Sequence, residues 1–82
     1  DKAKDFAASE AGKWLQENCY KFGFVLRFPE DKTDITGILY ESWHFRYVGR
    51  YHATRMKELG MCLEEYVEYL MLYGYDVNQG RG

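Results

Sequence analysis

Tyr40-Glu41-Ser42-Trp43-His44-Phe45-Arg46-Tyr47-Val48-Gly49 sets a strand-like pattern against three reactive polar side chains, and the 82-residue chain is read outward from it. Trp43 to Val48 is aromatic and β-branched, which predicts a strand. Alternation then puts His44, Arg46 and Val48 on one face and Trp43, Phe45 and Tyr47 on the other. Glu41 lies three residues before His44, so a regular strand sends it to the opposite face. A turn or bulge near Ser42 is needed for the two to serve one site. An acid, an imidazole and a guanidinium in an otherwise buried-looking segment mark either a functional site or a satisfied buried ion pair.

Upstream, Gly37 to Tyr40 reads as the start of another strand, and Pro29 to Asp34 as a polar loop whose proline cannot continue a central strand. Phe24 to Phe28, bounded by Gly23 and Pro29, is a further short strand, and antiparallel pairing is the economical arrangement. Ser9 is a plausible helix N-cap. Ala11, Trp14, Leu15, Asn18, Cys19 and Phe22 follow at helical spacing, and Gly23 supplies the stop. Asp1 to Ala8 shows no periodicity and reads as a lead-in segment. Downstream, Tyr51, Ala53, Met56 and Leu59 predict a helix ending at Gly60. A second helix places Leu63, Tyr66, Val67, Leu70 and Met71 on one face and Glu64, Glu65 and Glu68 on the other, with Gly74 closing it. Residues 75–82 read as a polar tail. Helix, strands, helix, helix makes an α+β fold, a small antiparallel sheet with helices packed on one face.

Composition narrows the function classes. At 82 residues the chain is one small domain or a piece of one, and 46% hydrophobic with 29% charged residues is globular rather than disordered. A net charge of -2 with scattered basic residues offers no field for a nucleic-acid backbone. No apolar run is long enough for a membrane span, and no signal-peptide pattern is present. Cys19 and Cys62 make no metal or redox motif and read as small buried hydrophobes. The eight tyrosines suit a small core and suit a binding groove as well.

An imidazole in a strand beside a carboxylate serves as a metal ligand with the carboxylate as general base, or as half of an acid/base pair without metal. It can also simply anchor the strand through a buried hydrogen bond. His52 falls in the helix after Gly49, with no second ligand at helical spacing, and reads as a surface or interhelical histidine.

Glu41-Ser42-Trp43-His44-Phe45-Arg46-Tyr47-Val48-Gly49 resembles the second signature of the VanY-type D-alanyl-D-alanine carboxypeptidases, zinc peptidases that include L,D-carboxypeptidases of peptidoglycan. Gly12-Lys13-Trp14-Leu15, Lys21 to Pro29, Asp34-Ile35-Thr36-Gly37 and Leu63-Glu64-Glu65-Tyr66 agree with that family in order and spacing, so the resemblance covers roughly residues 9–70. It implies that His44 is a zinc ligand and Glu41 the general base, with Tyr40, Trp43 and Arg46 as candidate substrate contacts. Position 42, often proline in the family, is serine here. The family's first signature, Ser-x-His-x-x-Gly-x-Ala-x-Asp, would supply the other two zinc ligands, and nothing in Asp1 to Ala8 matches it. The resemblance therefore implies that residues 1–82 form a single partial domain, the carboxy-terminal half of a zinc carboxypeptidase, inactive without its amino-terminal half. The implied substrate is a peptidoglycan stem peptide and the implied setting is the bacterial cell envelope or the outside of the cell. A non-catalytic module that binds wall peptide or a protein partner is the alternative.

Overall fold

The structure, a computed structural model, describes residues 1–74. Its elements run α1 (Lys2–Ala8), α2 (Glu10–Asn18), a 3-10 turn (Cys19–Phe22), β1 (Phe24–Phe28), a second 3-10 turn (Glu30–Lys32), α3 (Thr33–Thr36), β2 (Glu41–Tyr47), α4 (Arg50–Leu59), α5 (Leu63–Tyr69) and a π turn (Leu70–Gly74). The α+β class expected from the sequence is the one observed. The polar tail expected over residues 75–82 lies outside the described residues.

Asp1 to Ala8 is not a lead-in but a helix. The Asp1 carboxylate accepts from the Lys4 backbone N–H at 2.8 Å and caps it. It escapes a periodicity reading because only Ala3 is buried along it. Ser9 joins α1 to α2: its hydroxyl donates to the Phe6 carbonyl at 2.6 Å and accepts from the Gly12 N–H at 3.0 Å. One side chain thus ends one helix and begins the next. A Cβ at Gly12 would stand 1.9 Å from the Phe6 carbonyl oxygen, so only glycine lets the two helices meet this closely.

The helix expected from Ser9 to Gly23 tightens to 3-10 geometry after Asn18 and stops at Gly23, whose φ of 89° is left-handed. The Gly23 carbonyl then accepts from Val48 and Gly49 N–H at 2.8 and 3.1 Å. That pair fastens the far end of β2 to the start of β1. A Cβ at Gly23 would lie 2.6 Å from Cε1 of Tyr47.

β1 and β2 pair antiparallel as a two-stranded sheet, with Phe24 opposite Tyr47, Val25 opposite Arg46 and Leu26 opposite Phe45. Gly37 to Tyr40 is not a strand. Gly37 ends α3, and the segment crosses to β2 without joining the ladder, leaving Leu39 83% exposed. Pro29 to Asp34, expected as a loop, holds the 3-10 turn and the start of α3.

The core is small. Val25 of β1, Ala53 and Met56 of α4 and Tyr66 of α5 form its buried centre, with Tyr20, Val48, Leu59, Met61, Leu63, Tyr69 and Leu70 packed around it. Val67 and Met71, expected on the inner face of the last helix, point outward, and Tyr69 takes an inner place instead. Trp14 and Phe22, expected at helical spacing on one face, do lie side by side, with rings 6.0 Å apart, but are 51% and 58% exposed. Cys19 and Cys62 are buried free thiols, and burial pushes both up from the ordinary thiol pKa. His52 bridges α4 and α5, its Nδ1 lying 2.7 Å from the Tyr66 hydroxyl.

Candidate active site

The strand pairing fails at one place. Leu26 is opposite Phe45 and Phe28 is opposite Glu41, so Arg27 alone on β1 faces Ser42, Trp43 and His44 on β2. The extra residues form a bulge, the irregularity that the Glu41–His44 spacing demanded. With the bulge in place, Nδ1 of His44 lies 3.0 Å from Oε1 of Glu41. The Phe28 ring meets the imidazole edge-on, centroids 5.1 Å apart, and fixes its plane from the other strand.

The pair is not a buried anchor. The His44 side chain is 47% exposed and that of Glu41 31%. Of the three readings open to the sequence, the strand-anchoring hydrogen bond is therefore the one burial disfavours, since an exposed pair of this kind adds little stability. When Nδ1 carries the proton it donates to Glu41, and the Nε2 lone pair is left for an outside partner.

The bulge is held from below by Ser42, whose side chain is fully buried and whose hydroxyl donates to the Ala3 carbonyl of α1 at 2.5 Å. Sequence reasoning did not single out Ser42 as a structural tie. The available signal was a small polar residue wedged between two candidate site residues in a strand.

Tyr40, Glu41 and Trp43 share the wall of an open cleft of about 450 Å³ with Leu39, Glu30 and the first turn of α1. The Tyr40 hydroxyl accepts from Nε2 of Gln16 at 3.2 Å, which ties the cleft to α2. Trp43 is 47% exposed, so it belongs to this wall rather than to the core. Arg46 stands apart: it pairs with Val25 two residues beyond the bulge and is not among the cleft residues.

A catalytic zinc takes three protein ligands and an open position. Among the described residues no three His, Cys, Asp or Glu side chains converge on one point, so they do not make up a complete shell. Also among the described residues, no helix is long and apolar enough to cross a membrane.

Residues 2–50, which contain α1, the bulge and both candidate residues, match the model of the VanY family, described as D-alanyl-D-alanine carboxypeptidase. The chain belongs to the VanY family. The match begins earlier than the sequence resemblance, at α1, and ends at the start of α4. A D-alanyl-D-alanine carboxypeptidase of Enterococcus faecium is 61% identical over 59 residues, which are 72% of this chain and 20% of that protein. The LdcB LD-carboxypeptidase, whose structure bears on peptidoglycan recognition, superposes with a TM-score of 0.76 at 46% identity over 79% of this chain and 30% of that one. A mutant of the vancomycin resistance D,D-pentapeptidase VanY, solved in complex with Zn(II), superposes with a TM-score of 0.69 at 55% identity over 71% of this chain and 33% of that one. The chain thus spans about a fifth to a third of the VanY-family proteins it matches.

Proposed function

We propose that this chain supplies the proton-handling carboxylate and one metal ligand of a zinc carboxypeptidase site that removes a terminal D-alanine from peptidoglycan stem peptides. The observation that carries the reading is the 3.0 Å approach of Glu41 to His44 across a strand bulge, inside the segment the family shares. Glu41 is the general base and His44 the ligand. Zinc, when bound, supplies an electrophile for the scissile carbonyl. Glu41 takes a proton from the attacking water and delivers it to the nitrogen of the departing D-amino acid, which needs a carboxylate within hydrogen-bond reach of both. Tyr40 and Trp43 line the cleft beside Glu41 and serve as walls for the peptide, and Arg46 is a more distant contact. On this reading the remaining ligands come from outside the described residues, the 82 residues are the carboxy-terminal part of the peptidase domain, and the protein works at the bacterial cell envelope or outside it.

The test is a transplant. Replacing the aligned 59 residues of the E. faecium relative with those of this chain should preserve zinc content and release of D-alanine from a stem peptide ending in D-Ala-D-Ala. Glu41→Gln in that chimera should lower kcat by roughly 10²–10⁴ with zinc retained, whereas His44→Ala should lose the metal. A Glu41→Gln chimera with undiminished turnover defeats the assignment. Peptide binding by the chimera without turnover would favour the non-catalytic module.

A further inference from the structure

The Glu41–His44 pair depends on a bulge at which the register of the ladder is interrupted. With three β2 residues facing Arg27 alone, the backbone from Ser42 to His44 has lost the paired partners that fix a regular strand. Besides the Phe28 ring against the imidazole, two polar contacts take their place. One is the Glu41–His44 contact itself, exposed and weak for that reason. The other is the Ser42 hydroxyl on the Ala3 carbonyl, fully buried and reaching across 39 residues of chain. A buried hydrogen bond of this kind is directional, and its loss is felt where it acts.

We infer that Ser42 is a positioning residue for the Glu41–His44 pair: its bond to Ala3 tethers the bulge to α1 and so sets the direction in which Glu41 projects. The catalytic part of this inference rests on the function proposed above; the tether itself does not. Ala3 is an interior residue of α1, so its carbonyl also takes a helical N–H. Removing the serine hydroxyl therefore leaves no orphaned acceptor. Ser42→Ala should fold, with its effect confined to the bulge.

The experiment reads geometry by NMR on the 82-residue chain. In the unsubstituted chain, cross-peaks are expected between the Phe28 and His44 rings, 5.1 Å apart, and between the Glu41 side chain and the imidazole. Ser42→Ala should abolish both and raise hydrogen exchange across the bulge about tenfold, the fold-change equivalent of a hydrogen bond of ordinary net strength. Tyr66→Phe, which removes the His52–Tyr66 bond between α4 and α5, serves as a control of comparable severity and should leave the bulge cross-peaks intact.

Persistence of both cross-peaks in Ser42→Ala would overturn the inference. Should that variant fail to fold, Ser9→Ala, which loosens α1 at its joint with α2, should weaken the same cross-peaks; loosening of α1 with an unchanged bulge would equally overturn it. In the chimera, Ser42→Ala should lower kcat about tenfold with KM unchanged, because a misdirected base affects the transition state more than binding. An inactive parent chimera whose bulge still responds to Ser42→Ala would count against the proposed function and leave the tether standing.

Discussion

Glu41 and His44 show how far a residue pair can be read from spacing. Their separation of three is wrong for a shared face in a regular strand, so the sequence demanded an irregularity, and a bulge is found there. The tie that holds the bulge was not legible, because Ala3 lies 39 positions away in a segment without periodicity. Gly23 is the other residue on which this corner depends. Its φ of 89° and the 2.6 Å that a Cβ would have from the Tyr47 ring combine a left-handed backbone with a steric clash. Gly23→Ala should therefore cost about 2 kcal/mol or more, since a non-glycine residue in this region already costs about 1–2 kcal/mol. The check is a urea titration in which the midpoint falls and the slope stays the same. A midpoint unchanged within error would mean that the β1–β2 corner rearranges without cost.

At the scale of elements, strands and helices that carry an apolar stripe were legible, whether or not the stripe is buried, while a helix without one was not. β1, α4 and the bulk of α2 follow from composition, periodicity and glycine stops. α1 did not, because a seven-residue helix that buries only Ala3 shows no stripe. Gly37 to Tyr40 misled in the opposite direction: its residues favour strands, but it has no partner strand to pair with. The amino end of α5 is held by ion pairs of glutamates that the sequence placed only on the face opposite the apolar stripe. Arg27 of β1 donates to Glu64 at 2.9 Å and Lys32 to Glu65 at 2.9 Å, while the Cys62 N–H donates to Glu65 at 3.0 Å. The Arg27 guanidinium holds the Glu64 carboxyl below its ordinary value. For Glu65 the Cys62 N–H is the larger cause and Lys32 the next. Because both folded pKa values are depressed, the stability they contribute is complete above the unfolded value of about 4.3 and is lost as pH falls through the folded values. Stability measured by urea at successive pH values should be level above about pH 5 and decline below it. The double variant Glu64→Gln, Glu65→Gln should flatten that decline. An equally steep acid limb in the variant would place the linkage in other carboxylates.

At the scale of the whole molecule, the apolar residues outnumber the places to bury them. Val25, Ala53, Met56 and Tyr66 form the buried centre, whereas Trp14, Phe22, Phe24, Trp43, Tyr47 and Leu39 are among the large hydrophobics left exposed. Trp14, Phe22, Phe24 and Phe45, with Leu15 and Cys19, even line an open apolar cleft of about 430 Å³. The helical period correctly aligned Trp14 with Phe22, whose rings lie 6.0 Å apart, but periodicity finds a stripe without saying what covers it. Among the described residues the two-stranded sheet has no further strand on its edges, and such edges invite pairing. These features together predict that the 82-residue chain, studied by itself, enhances the fluorescence of a hydrophobic dye in its folded state and self-associates as concentration rises from roughly micromolar to millimolar. The double variant Trp14→Lys, Phe22→Lys places two charges in the exposed stripe without touching the buried centre. It should lower dye binding and shift size-exclusion elution toward the monomer while the far-ultraviolet helix signal is kept. Tight monomeric elution of the unsubstituted chain across that range, without dye enhancement, would show that the stripe closes on itself in solution. A variant that loses its helix signal would instead show that Trp14 and Phe22 carry more of the fold than their exposure implies.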